Sequence, residues 1–241
     1  MIFSAGLGTR LKPITNHKPK ALAEINEIPL LEIVIRRLID FGYLYIVINI
    51  HHFSEQILEF LKRNDNFGIN IKISDESDLL LDTGGGLQKA KDFLLGETPV
   101  LLHNVDVLTN LDYHKMELYH LQQHALVTLA VRNRESSRYL LLDEKNRLCG
   151  WNNVKTKEKI LPVPCKNPKY VAFSGIHFIN PQIFAYLNEN GPYSIIQKYL
   201  ELAPFHMIKG YIHDEDFWMD LGKPENINDA SKYLNDYFPE L

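Results

Sequence analysis

The chain opens on a short apolar segment, Met1-Ile2-Phe3-Ser4, that runs straight into Ala5-Gly6-Leu7-Gly8-Thr9-Arg10. Glycines at alternate positions give a tight loop whose backbone N–H groups can approach an anion closely, because no Cβ atoms intervene. Such a loop belongs at the carboxyl end of a strand, where open α/β sheets hold their ligands. Arg10 and Lys20 add fixed positive charge, one as a planar fork and one as a point charge. The first twenty-two residues are therefore expected to handle phosphate.

Two other glycine motifs do not fit. A dinucleotide fingerprint needs a third glycine or alanine where Leu11 stands, and neither Glu24 nor Glu27 follows a second strand. A nucleotide-triphosphatase loop, Gly-x-x-x-x-Gly-Lys-Ser/Thr, occurs nowhere in the chain. A plain turn would explain a bare Gly-x-Gly, but not Thr9, Arg10, Leu11, Pro13, Thr15, Pro19, Lys20 and Leu22 at their spacings. That pattern resembles the signature of the sugar-1-phosphate nucleotidylyltransferases, also called nucleoside-diphosphate-sugar pyrophosphorylases. The resemblance extends from Ala5 to Gly222.

With 241 residues, 45% of them hydrophobic, the chain can bury one substantial core. A net charge of −4 gives no basic field for nucleic acid or an anionic membrane, so anionic substrates need local cations and a metal. No apolar run reaches the roughly 18 residues of a membrane span, and no basic segment precedes the apolar start as in a signal peptide. Cys149 and Cys165 fit reduced thiols in a cytoplasmic protein. Only five residues precede Gly6, so the first strand is expected to be short or to begin before this sequence does.

Strand and helix signals alternate. Pro29 opens a helix that shows Leu30, Leu31, Val34 and Leu38 on one face and closes at Gly42. Tyr43 to Ile50 is a near-continuous apolar run, as in a strand covered on both faces. Ser54 is read as the cap of a helix reaching Arg63, Ile69 to Ile73 as a strand, and Gly84-Gly85-Gly86 as a loop before a helix over Leu87–Leu95. Further strands are expected at Pro99–His103, Leu126–Val131 and Val171–Ile179, the last with Gly175 marking a bulge or the close approach of a ligand. Tyr139–Leu142 and a segment near Leu148 flank a hairpin turn, and helices are expected near Tyr113–Gln123, Pro181–Leu187, Ser194–Leu202 and Pro224–Leu234. The expected fold is a single-domain, three-layer α/β/α arrangement, Rossmann-like, with a mixed and mostly parallel sheet. The resemblance makes it the nucleotide-diphospho-sugar transferase type. Its nucleotide-binding part would span about 1–110, its sugar-binding part about 111–222, and a last helix about 224–235.

Read alone, Asp106 and Asp220 are ordinary loop aspartates. The resemblance implies that they hold the catalytic Mg2+, Asp106 after the fourth strand and Asp220 in Trp218-Met219-Asp220-Leu221-Gly222. Relatives commonly carry Gly-Asp at the first position, where this chain has Val105-Asp106. The resemblance also implies catalytic roles for Arg10, Lys20 and Asp106, and nucleotide contacts from Ala5, Gly6, Leu7, Gly8, Thr9, Arg10, Glu76, Thr83 and Gly84. The sugar would lie against Asn104, Tyr139, Trp151, Asn152, Ser174 and Gly175. Where a Glu-Lys pair is usual, this chain has Trp151-Asn152, and Trp151 suggests a sugar with an apolar substituent. The ten histidines show no zinc pattern; His120 and His124 are read as surface or supporting groups.

The partners implied are a nucleoside triphosphate and a sugar 1-phosphate, with UTP and N-acetylmuramate 1-phosphate expected first. GTP with mannose 1-phosphate or heptose 1-phosphate is the alternative. A nucleotide-sugar-binding sensor or subunit without catalysis is the reading from another class, kept open by the missing Glu-Lys pair.

Overall fold

The computed structural model describes residues 1–237. Contacts divide the described residues into two compact units: Met1–Asp82, His103–Leu111 and residues 217–237 form the first, Thr83–Leu102 and Asp112–Asp216 the second. No helix among the described residues is long and apolar enough to cross a membrane.

The first unit is built on parallel strands. Ile2–Phe3 lies between Tyr45–Ile50 and the end of Val100–Asn104, with Ile2 opposite both Ile48 and His103. Asn70–Asp75 pairs on the far side of Tyr45–Ile50. The apolar run from Ile46 to Ile50 is buried throughout, which is why it shows no alternation. The first strand is indeed short, at two residues. Helix Leu30–Asp40 follows Pro29 and buries Leu30, Leu31, Ile33, Val34, Ile35 and Leu38, each worth about 2 kcal/mol of transfer from water. It ends as Gly42 N–H donates to Ile39 O (2.7 Å) and Tyr43 N–H to Leu38 O (2.9 Å), a Schellman closure. Helix Ser54–Arg63 starts one residue earlier than expected: Phe53 occupies the cap position, so Ser54 is the first helical residue.

The second unit carries a mixed sheet. Antiparallel pairing runs from Glu158–Ile160 through Leu148–Asn153, Arg138–Leu142 and Lys169–Ile179 to Val127–Arg132, and Ile208–Ile212 adds in parallel. The expected hairpin turn is present, with Asp143 Oδ1 accepting from the N–H groups of Lys145 and Arg147. Gly175 does mark a bulge: its φ is +80°, and the register against Val127–Arg132 shifts between Phe173 and His177. Gly84–Gly86 are not a loop. They lie inside helix Asp82–Lys89, which begins five residues before the expected start.

His120 is not a surface group. It is 1% exposed, and its Nδ1 meets Thr128 Oγ1 at 2.9 Å. Burial pushes its pKa down to about 4, and burial chiefly does the same for His213. Their unfolded values lie near 6.5, so the unfolded chain takes up protons first as pH falls. Both stabilising contributions are complete above pH 6.5 and are lost progressively as pH falls from there to about 4. We expect stability at pH 5 to lie below that at pH 7 by about 2 kcal/mol per histidine. Urea melts across this range check it, and His120→Asn should flatten the slope.

Candidate functional site

The glycine loop is anchored before it begins. Ser4 N–H donates to Asn49 Oδ1 at 2.7 Å and Ser4 Oγ donates to Asn49 O. Asn49 Nδ2 in turn donates to Glu76 Oε1 at 2.7 Å, and Glu76 Oε2 accepts from Leu81 N–H at 3.1 Å. One buried carboxylate thus ties the loop after Ile2–Phe3 to the loop after Asn70–Asp75. Glu76, expected at the base, is completely buried, and both of its carboxylate oxygens accept hydrogen bonds from the protein.

Within the loop the two glycines differ. Gly6 is exposed and has open space where a Cβ would stand, as close approach of a ligand requires. Gly8 has φ +63°, and a Cβ there would lie 2.8 Å from Thr15 and 2.9 Å from Lys20. Thr15 Oγ1 donates to Gly8 O at 2.8 Å, while Leu11 is fully buried and pins the turn Thr9–Leu11. Ala5 is buried, and Leu7, Thr9 and Arg10 flank the open glycine.

This folding brings Arg10 and Lys20 to two aspartates. Lys20 Nζ donates to Asp106 Oδ2. Arg10 Nη1 lies 3.4 Å from Asp220 Oδ2, and Arg10 Nη2 lies 3.9 Å from Asp106 Oδ2. The aspartates share a platform because Trp218–Asp220 pairs antiparallel with Val107–Thr109, and Leu221 N–H donates to Asp106 O at 2.7 Å. Gly222 leaves room for the Arg10 tip beside them: a Cβ would lie 2.4 Å from Arg10 Nη2 and the guanidinium would have to shift. Val105 needs no glycine geometry, since its φ is not positive, and its N–H donates to Phe3 O at 3.1 Å. Asn104 ends the strand beside it, its O accepting from His103 Nδ1–H at 2.8 Å. Among the described residues no set of three or more His, Cys, Asp or Glu gathers as metal donors. The hard oxygens of Asp106 and Asp220, balanced by two cations, are the donor set present.

In the second unit, Thr83 and Gly84 are committed to packing. Thr83 Oγ1 accepts from Ile195 N–H at 3.0 Å and so caps helix Ile195–Leu202. Gly84 N–H donates to Tyr193 O at 2.8 Å, under the Tyr193 ring.

A cavity of about 470 Å³ opens on the sheet of this unit. Leu140, Trp151 and Ile160 face one another across three strands and line it, with Arg138 and Glu158 one row further along the same face. Tyr139 borders the cavity, its OH accepting from Ser136 N–H at 3.0 Å. Asn152 pairs with Tyr139 on the face opposite Trp151 and does not line the cavity.

Ser174 is also a correction. It is fully buried, and its hydroxyl meets His213 Nε2 at 2.7 Å, while His213 Nδ1 lies 3.6 Å from Asp216. The spacing imitates a hydrolase triad. A base pushed down to about 4, with a nucleophile sealed from substrate, cannot work as one near neutral pH. The Ser174–His213 contact instead ties the strand beside Gly175 to the segment after Ile208–Ile212.

Sequence reasoning overlooked Asn49, which stands on a strand whose register is invisible in a single sequence.

Residues 1–236 match the model of the family described as nucleotidyl transferase. The chain is 29% identical over 240 residues to an N-acetylmuramate alpha-1-phosphate uridylyltransferase of Caulobacter vibrioides, covering 93% of this chain and 92% of that protein. It is 28% identical to a mannose-1-phosphate guanyltransferase of Yarrowia lipolytica, covering 94% of this chain but only 61% of that longer protein. The solved structure of a putative glucose-1-phosphate thymidylyltransferase from Bacillus anthracis superposes with a TM-score of 0.80 at 17% identity, covering 98% of this chain and 94% of that one. The likeness to that structure shows a nucleotide-diphospho-sugar transferase fold of the α/β class. By its N-terminal loop, its paired strands and its match along nearly the whole length, the chain belongs to the nucleotidyl transferase family.

Proposed function

We propose that the chain transfers a nucleoside monophosphate from a nucleoside triphosphate, UTP first, to a sugar 1-phosphate, N-acetylmuramate 1-phosphate first. The observation that carries this is the charge-balanced cluster of Arg10, Lys20, Asp106 and Asp220 at the mouth of a glycine loop. A phosphate oxygen of the sugar attacks the α-phosphorus in line, and pyrophosphate leaves from the opposite side. Both reactants are anions, so charge neutralisation and alignment are the work to be done. Arg10, more than half exposed, takes the β- and γ-phosphates. Lys20, held at one position by Asp106, neutralises charge at the α-phosphate or the incoming sugar phosphate.

Two carboxylates plus substrate phosphates are the usual setting for Mg2+, and Asp106 and Asp220 fit it. Bound there, the ion supplies positive charge against phosphate oxygens. The glycine loop takes the triphosphate, while Glu76 and Thr83 keep backbone in place for the base. The cavity beside Trp151 takes the sugar, and Tyr139 and Phe173 shape its walls. We read the whole as one nucleotidyltransferase domain, working in the cytoplasm on nucleotide-sugar supply for the cell wall. The likeness to the guanyltransferase favours a second reading, with GTP and mannose 1-phosphate or heptose 1-phosphate.

Pyrophosphate release, measured with each triphosphate against each sugar phosphate, tests the proposal. Turnover should be greatest with UTP and N-acetylmuramate 1-phosphate. Turnover with GTP and mannose or heptose phosphate would replace that assignment with the second reading. Tight nucleotide binding without turnover of any pair would make the chain a sensor.

A further inference from the structure

We infer that Arg138 sets sugar specificity by binding a carboxylate carried on an apolar arm of the sugar 1-phosphate. The inference rests on the sugar-phosphate reading above and concerns one residue of the cavity in the second unit. Across Arg138–Leu142, Leu148–Asn153 and Glu158–Ile160 the cavity face carries two rows: Leu140, Trp151 and Ile160, then Arg138, Asn153 and Glu158. The first row is apolar. An unmodified hexose, with hydroxyls all round, would leave them unpaired against it, whereas an apolar arm would not.

In the second row, Asn153 is already spent: its Oδ1 accepts from Lys155 N–H (3.0 Å) and Thr156 N–H (3.3 Å) to close the turn. Arg138 is not spent. Its guanidinium is exposed and forms no hydrogen bond or ion pair among the described residues, although it lines the cavity. Glu158 lies two strand spacings away, roughly 9–10 Å at the backbone, and its carboxylate forms no ion pair with Arg138. The row therefore offers a free planar fork at one end and negative charge at the other. A carboxylate pairs with the fork and is repelled from Glu158, which fixes the direction in which the arm lies.

The test compares N-acetylmuramate 1-phosphate, whose lactyl ether is such an arm, with N-acetylglucosamine 1-phosphate, which lacks it. In the unaltered chain kcat/KM for the acidic sugar should exceed that for the neutral one by about thirtyfold, as one bidentate charged contact provides. Arg138→Gln should collapse the preference to within about threefold, through a higher KM for the acidic sugar, and Arg138→Lys should restore part of it. A merely structural role would lower both sugars alike and leave the ratio standing. Equal use of the two sugars by the unaltered chain, or a preference that survives Arg138→Gln, overturns the inference while leaving nucleotidyl transfer in place. Turnover of neither sugar, nor of any other sugar phosphate, overturns the proposed function and the inference with it.

Discussion

Asp106→Asn is expected to slow nucleotidyl transfer by roughly 100- to 1,000-fold, the usual loss when one preorganised group at a developing charge is removed. The substitution keeps shape and removes charge. Asp106 is 7% exposed and touches both cations of the cluster, so the effect begins with them. Without the carboxylate, Lys20 loses the acceptor that fixes its ammonium, and Arg10 keeps only Asp220. A cation that wanders over even an ångström is a poor partner for a phosphorus centre that must be aligned. Lys20→Met should cost a similar factor, because it removes the charge that Asp106 holds ready. The two residues act as a unit, so the double variant should lose about as much as the worse single variant. Single-turnover rates at saturating substrates measure this directly. Losses that multiply in the double variant would show that the pair does not work together.

Legibility in the sequence followed the range over which each element is determined. Tyr45–Ile50 and Leu30–Asp40 could be read because their signals are local: an apolar run long enough to need no partner for recognition, and a proline and a glycine that start and stop a helix. Val107–Thr109 and Trp218–Asp220 could not, since three residues show no period. Yet those strands join the two aspartates, which only the resemblance singled out. Lys20 and Asp106 are 86 residues apart, and nothing near either one announces the other. The resemblance sets Ser174 against the sugar; His213, distant in sequence, claims its hydroxyl. In the site, then, the charged loop was legible and the backbone that aims it was not.

The helix over Gly84 is the clearest case of tertiary contact overriding propensity, and it leads to the second large effect. Three consecutive glycines disfavour a helix by up to about 1 kcal/mol each relative to alanine. They are nevertheless helical, because Tyr193 lies across the chain there. A Cβ on Gly84 would stand 2.2 Å from Tyr193 Cε2, far inside contact distance. The ring has little freedom to withdraw: Tyr193 OH donates to Gln88 Oε1 at 2.8 Å, and Tyr193 O accepts from Gly84 N–H. Gly84→Ala should therefore destabilise by about 2 kcal/mol despite the better helix former, and Gly84→Val by more. In a Tyr193→Ala background the clash disappears while the propensity gain remains, so Gly84→Ala should become neutral or stabilising by up to about 1 kcal/mol. Urea denaturation of the four chains completes the cycle. If Gly84→Ala costs the same with and without the Tyr193 ring, close approach is not what holds glycine at this position, and contact with a bound base regains its claim on the residue.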